Sequence, residues 1–416
     1  MKILFILPYQ VVPPNSGNKN LTANLLKFMS REVSCDLVML LDAGVCSDSA
    51  VKLVRQTYPH LQHVAAFQKP QGWARAIERF KAILSAYHLS LGSYMSGLFR
   101  DWLKENSRRY DLVHFDMVHT SLYRGSCDDV ASLLVASDAY SMAAWESAQF
   151  LTRWRDRARV RLEGWLLSNV ERRQYRKFDV VCSVSTRDAS YLTRQLNGRS
   201  VKTIGIGLGD EYSQREIRHF AHADSLKVEI LITGSLDHEG VALGAAQFIR
   251  ECLPALRQKH PGVQVTLLGK NPQVFLMDLV AAVPDLQHVD FVQDYADFLD
   301  RDWVYVYPQQ NATGLQTKVQ QAMALGLPVV GYPVSFGGLN VTSGEHCYIC
   351  EDAIEVTQRV SALLSNPLQR VDMGKAASAH IRTLFSIART GSEMISLYRL
   401  AIQVFRQNTD LHDSQV

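Results

Sequence analysis

The chain has 416 residues, 47% hydrophobic and 20% charged, a composition that excludes a disordered or fibrous protein and a length that one hydrophobic core rarely spans, so two domains are expected. A net charge of +3 and a pI near 8.4 are too mild to make nucleic acid the main partner. No stretch has the apolar length that crosses a bilayer, Pro8 cuts "MKILFILP" short of a signal peptide, and seven scattered cysteines predict buried reduced thiols, all of which reads as a cytoplasmic protein.

The first half alternates short runs apolar on both faces with helical patterns, which predicts a parallel sheet covered on both sides. After "KILFIL" a loop with two prolines reaches Gly17, and a helix follows with Leu21, Leu25, Leu26 and Met29 on its buried face. The glycine lets backbone N–H groups approach a phosphate or sugar. "CDLVMLL", "HVAAF" and "YDLVHFD" continue the series. Asp116 closes the last of these with His119 just past it, a hydrogen-bond acceptor and a proton carrier suited to a sugar hydroxyl. His114, inside the strand, reads as a buried structural histidine.

Beyond "SLLVAS", nine basic residues stand against three acidic ones between Arg153 and Lys177, with Trp154 and Trp165 interleaved. That run is either a solvated helix face or a surface for anionic lipid or a phosphate-bearing acceptor. "FDVVCSV" leads to "VSTRD", where Ser185 or Thr186 can cap a helix. The alternation dissolves from Gly205 to Lys227, a linker, and the "GIGLG" within it has no helix opening after it to make a dinucleotide fingerprint. The expected domains are therefore 1–206 and 207–389, with a final helix at about 390–410 that has "ISLYRLAIQVF" at its centre, before a polar tail "RQNTDLHDSQV".

The second alternation runs through "KVEILITG", "VQVTLLG", "VDFVQD", "WVYVYP", "LPVVGYP" and "CYIC". Its loops place Gly234 and Ser235 after the first strand, Lys270 after the next, and Val292 beyond "DF", where backbone groups can read a nucleobase edge. The loop "QQNATGLQ" then delivers Thr313, Gly314, Leu315 and Gln316 to the start of a helix carrying Lys318 and Gln321, while Val319, Ala322 and Met323 face the sheet. A helix start already carries unpaired N–H groups and partial positive charge, so a lysine there invites an anion. Together these loops describe a nucleotide-diphosphate site. Cys347 and Cys350, with only His346 beside them, lack the second pair that zinc needs, and no metal is expected.

The order of these motifs resembles the GT-B retaining glycosyltransferases of group one (family four), along nearly the whole chain: "MKILFILPYQVVPPNSG", "YDLVHFD", "YRKFDVVCSVSTRD", "ILITGSLDHEG", "LLGKNP", and "ATGLQTKVQQAMALGLPVVGYP" followed by "GGLNVTSGEHCYI". The resemblance implies an α/β fold of two Rossmann-like domains facing across a cleft, with the last helix crossing back to the first domain. It also implies a nucleotide-diphospho-sugar donor, UDP- or GDP-linked, a glycan or lipid-linked acceptor, transfer with retention, no metal, and peripheral contact with the inner face of an anionic membrane in envelope-polysaccharide synthesis. Lys318 and the amides of its helix would hold the diphosphate, Val292 would meet the base, and Gly17 would lie beside the transferred sugar. Thr313 and Gln321 stand where the family usually carries two glutamates, the usual arginine and lysine are missing from "GSLDHEG", and Asp116 stands where many members have histidine, with His119 nearby. The alternatives left open are a hydrolase or epimerase on the same architecture and a non-catalytic binder of sugar nucleotide or of a partner transferase. A dehydrogenase is disfavoured because no G-x-G-x-x-G follows either first strand.

Overall fold

In the computed structural model, which describes residues 1–14, 17–29, 33–151, 153–218, 228–309 and 314–413, the runs apolar on both faces become parallel strands. The chain divides into two units, 1–207 with 387–416, and 208–386. In the first unit the strands are β1 (Lys2–Leu7), β2 (Ser34–Leu41), β3 (Val64–Gln68), β4 (Leu112–Asp116), β5 (Ala131–Val135), β6 (Val180–Ser183) and β7 (Lys202–Thr203), in the order β3-β2-β1-β4-β5-β6-β7. β1 is paired in parallel with both β2 and β4. Residues Ile3 to Leu7 are buried without alternation, because helices cover both faces of such a sheet.

The second unit repeats the plan with β8 (Glu229–Thr233), β9 (Val265–Leu268), β10 (Leu286–Val289), β11 (Trp303–Tyr307), β12 (Val329–Gly331) and β13 (Tyr348–Ile349), in the order β10-β9-β8-β11-β12-β13. Each sheet reverses its winding at its first strand, between β1 and β4 and between β8 and β11. The carboxyl ends of strands at such a reversal leave a crevice where ligands bind in open α/β sheets. Each unit has its own apolar core.

Three elements differ from the sequence reading. The strand expected in "VDFVQD" ends at Val289, and Asp290 turns out of the ladder to accept the Asn271 N–H (3.4 Å). The expected linker holds a short helix, Asp210–Ser213, before residues that lie outside the described ones. The last helix spans Ile387–Asp413, absorbing most of the expected polar tail. Charged residues at its exposed end do not stop a helix that is anchored elsewhere by packing. Six cysteines are buried and free, whereas Cys46 is exposed.

A buried polar contact fastens the last helix. Tyr398 Oη is 2.7 Å from His114 Nδ1, and the His114 ring stacks on Phe5 with centroids 4.5 Å apart. Burial drives the His114 pKa down to about 3, so the ring is neutral and acts as a structural hydrogen-bonding group. Removing the hydroxyl in Tyr398→Phe leaves a buried ring nitrogen unpaired, and we expect a loss of roughly 1–3 kcal/mol in the stability of the first unit, read from the midpoint of urea unfolding followed by circular dichroism.

Candidate functional site

In the second unit the structure gathers the expected residues at the carboxyl ends of β8 to β11. Gly234 follows β8 directly and its N–H is given to Leu268 O (3.1 Å), tying the loop after β8 to the end of β9. Ser235 and Lys270 are exposed, and the Lys270 ammonium lies 4.3 Å from the centre of the Phe291 ring. Val292 is half-buried on the loop after β10. Thr313 lies outside the described residues.

The chain re-enters at Gly314 with φ +67°, a left-handed conformation that glycine adopts without steric cost. Leu315 is buried beneath the loop, and the Gln316 side chain accepts a hydrogen bond from Tyr307 Oη (2.9 Å). These contacts seat the Thr317–Ala324 helix with its first turn beside the crevice, where Val319, Ala322 and Met323 pack inward.

Lys318 is half-buried in that first turn, its Nζ 3.5 Å from the centre of the Tyr295 ring. Desolvation alone pushes its pKa down to about 8, and among the described residues no carboxylate compensates it. The face of an aromatic ring attracts a cation, worth about 2 kcal/mol when desolvated, which holds the ammonium without neutralising it. Tyr295 is fixed in turn: its hydroxyl is 2.9 Å from Thr233 Oγ1, which is 2.6 Å from Tyr305 Oη. One turn along the helix, Gln321 is buried, and its Oε1 has no hydrogen-bond partner among the described residues. A buried acceptor without a donor is costly and unusual. The two features together make a site with an unspent cation and an unspent acceptor.

In the first unit the loop after β1 and the end of β4 meet in the same way. Gly17 opens the Gly17–Met29 helix, and the Asn18 amide contacts Met117 Sδ (3.6 Å). Asp116 is only 2% exposed. It accepts hydrogen bonds from Tyr9 Oη and from Thr22 Oγ1 (3.0 Å). Burial raises its pKa to about 6 despite those donors. Its reach is therefore to the loop after β1 and the helix beyond it, where it positions Tyr9, rather than to a hydroxyl in open solvent. Burial, then the charge of Lys69, lowers the His119 pKa to about 4, so the ring is neutral and can accept a proton but not bring one. Its Nδ1 is buried without a partner among the described residues, and the ring lies against Tyr94 (4.1 Å between centroids).

Tyr295, Tyr9 and Thr22 escaped sequence reasoning. Tyr295 stands one residue past Asp294, whose side chain caps a short helix by accepting from Asp297 N (2.8 Å). That capping pattern was the available signal for a side chain presented at a loop end.

Comparison with known proteins bears on this geometry. Residues 227–366 match the family model described as glycosyl transferases group 1. No curated protein matches the chain. Among solved structures, Anabaena HepE in complex with UDP and glucose superposes with a TM-score of 0.64 at 14% identity, over 95% of this chain and 99% of that one. Sucrose-phosphate synthase from Thermosynechococcus elongatus gives 0.66 at 17% identity, over 98% of this chain and 100% of the other. TarM gives 0.66 at 9% identity over 96% and 99%. At these identities the likenesses establish the fold, which is GT-B with two Rossmann-like domains.

Two substitutions test the two halves of this description. Gln321→Leu removes an unsatisfied buried acceptor, so the chain should melt at an equal or higher temperature, read by differential scanning fluorimetry. Asp116 has a folded pKa above its unfolded value, so the native state binds the extra proton, and its contribution is present below about pH 4 and lost as pH rises through 6. Asp116→Asn should flatten that decline, by roughly 3 kcal/mol at pH 7 if the hydrogen bonds from Tyr9 and Thr22 are kept, measured by urea unfolding across pH 4 to 7.

Proposed function

We propose that this chain, whose second unit carries a group 1 glycosyltransferase domain and whose whole length has the GT-B fold, moves a sugar from a nucleotide-diphospho-sugar to a glycan or lipid-linked acceptor with retention of configuration. The observation that carries this reading is the half-buried, uncompensated Lys318 at a helix start. UDP is the donor nucleotide favoured, since the HepE structures hold UDP and UDP-glucose; a GDP-linked donor is the alternative.

In this reading the bond from the anomeric carbon to the donor's terminal phosphate oxygen breaks, the acceptor hydroxyl oxygen bonds to that carbon on the same face, and the hydroxyl proton passes to the departing phosphate. The charge that grows on the diphosphate is the main obstacle. Lys318 and the N–H groups of Gly314, Leu315 and Gln316 meet it, preorganised in a partly dry site where such donors act most strongly, with no step routed through a metal. Gln321 Oε1 would accept from a ribose hydroxyl, Val292 would lie along the base, and Gly234, Ser235 and Lys270 would border the diphosphate. In the first unit Gly17 would let the backbone approach the transferred sugar, Asp116 would position Tyr9, and neutral His119 would accept from an acceptor hydroxyl. Work at the inner face of a membrane, in polysaccharide assembly, follows from a lipid-linked acceptor.

A second reading has a specific observation behind it: Gln321 and Thr313 carry no charge where the family usually has glutamates, so the chain binds sugar nucleotide without turning it over. Nucleotide release from UDP-glucose in the presence of a lipid-linked acceptor fraction separates the two readings, and release that needs no acceptor points instead to a hydrolase. For the site itself, UDP affinity measured by calorimetry should fall as pH rises through about 8, where the Lys318 ammonium loses its proton. Lys318→Ala should weaken UDP binding on the order of a hundredfold and abolish that pH dependence. A steep pH dependence that survives the substitution counts against Lys318 as the diphosphate ligand.

A further inference from the structure

A surface helix of a soluble protein ordinarily turns its apolar stripe inward. The Gly72–Leu84 helix of the first unit does the reverse. Trp73, Ile77, Phe80 and Leu84 recur at helical spacing on one face and are 87%, 53%, 60% and 72% exposed, with Ile83 beside them also exposed. Ala82 is the helix's only fully buried residue. The inward side is held by close backbone contact: a Cβ added to Gly92 would lie 2.6 Å from Arg79 Cα and from Glu78 O. The stripe is thus left over from folding, and a contiguous patch of this kind marks a place where something else docks.

Arg75 and Arg79 lie on the flank of the helix away from the stripe and line a cleft of about 800 Å³ together with Lys69, His88, Tyr94 and Arg159. Its two acidic residues are already paired, Asp42 with Lys69 (2.7 Å) and Glu163 with Arg159 (3.6 Å). Arg75 is held over the cleft by Ser93 Oγ (3.2 Å). The far wall is the Trp154–Gln174 helix, which leaves Trp154, Leu162 and Trp165 exposed within the run of nine basic and three acidic residues. An apolar stripe headed by tryptophan, with arginines on its polar flank and a second basic, tryptophan-bearing helix beside it, is the pattern of a helix lying in a membrane interface. A second copy of this chain would bring the same cations against these. An anionic bilayer complements both the charge and the stripe.

We infer that the Gly72–Leu84 helix docks the first unit on an anionic membrane, its Trp73 to Leu84 stripe set among the acyl chains, and that the adjoining cleft takes the phosphate or pyrophosphate of a lipid acceptor. The docking stands by itself; only the acceptor's part in the cleft rests on the transferase reading.

Flotation of the full chain with vesicles tests it. Wild type should float with vesicles of phosphatidylcholine plus phosphatidylglycerol and not with phosphatidylcholine alone. I77E/F80E, at two exposed positions, should lower the bound fraction more than tenfold while the thermal shift given by UDP is unchanged, and Trp73→Ser with Leu84→Ser should act in the same direction. R75A/R79A should lower binding several-fold, and inorganic pyrophosphate should reduce flotation of wild type but not of R75A/R79A. Undiminished flotation of I77E/F80E overturns the proposal, as does flotation indifferent to phosphatidylglycerol. A thermal shift by pyrophosphate that R75A/R79A abolishes without any change in flotation assigns the cleft to a free phosphate and overturns its lipid part. Concentration-dependent dimers in light scattering that I77E/F80E abolishes overturn it in favour of a contact between copies. A wild type that floats but shows no thermal shift with UDP sinks the donor reading and leaves the docking intact.

Discussion

The site in the second unit depends on a cation kept partly out of water without a counter-charge. Burying an ammonium is costly, and proteins usually compensate it with a carboxylate. Here the compensation is the Tyr295 ring face, 3.5 Å from the ammonium, which attracts the charge but leaves it able to meet an anion. The ring is fixed in turn: Thr233 at the end of β8 meets the Tyr295 hydroxyl and is itself met by the Tyr305 hydroxyl within β11. The two strands whose reversal of winding opens the crevice thus also set the position of the charge inside it.

The first unit solves a different problem with the same topology. At the end of β4 its crevice holds a carboxylate, Asp116, dry and hydrogen-bonded to Tyr9 and Thr22, and the buried Lys69 nearby is paired with Asp42. A buried carboxylate satisfied by two hydroxyl donors ties the end of β4 to the elements that follow β1, giving the crevice walls a defined spacing. Beside it, His119 is made neutral by burial and by the charge of Lys69. One duplicated architecture therefore presents an ammonium without a counter-charge in one unit and a buried, hydrogen-bonded carboxylate beside a neutral imidazole in the other.

The Gly72–Leu84 helix adds a third surface whose logic lies outside folding. Its backbone is pressed on Gly92 and its apolar side chains face away from the core. Burying those side chains would have stabilised the unit by roughly 1.5–3 kcal/mol each. That the fold leaves them outside is intelligible when the apolar partner is supplied by another phase.

What the sequence by itself determined was the layer plan. Strands apolar on both faces have no alternative to a parallel sheet covered by helices, so "KILFIL", "CDLVMLL" and "WVYVYP" could be placed from their pattern, and with them the loops that carry Gly17, Gly234, Gly314 and Lys318. Only the tertiary structure decided how each side chain is solvated. Asp116 reads as an available acceptor until Tyr9 and Thr22, 107 and 94 residues away in the chain, close over it. Lys318 reads from its helix start as a lysine that invites an anion, but only Tyr295, arriving from another loop, sets how its ammonium is held partly out of water. The Trp73, Ile77, Phe80, Leu84 stripe points outward because Gly92 admits the other side of the helix. Periodicity is a local property of the chain, whereas burial and its effect on charge are set by residues distant in sequence, and no local pattern encodes them.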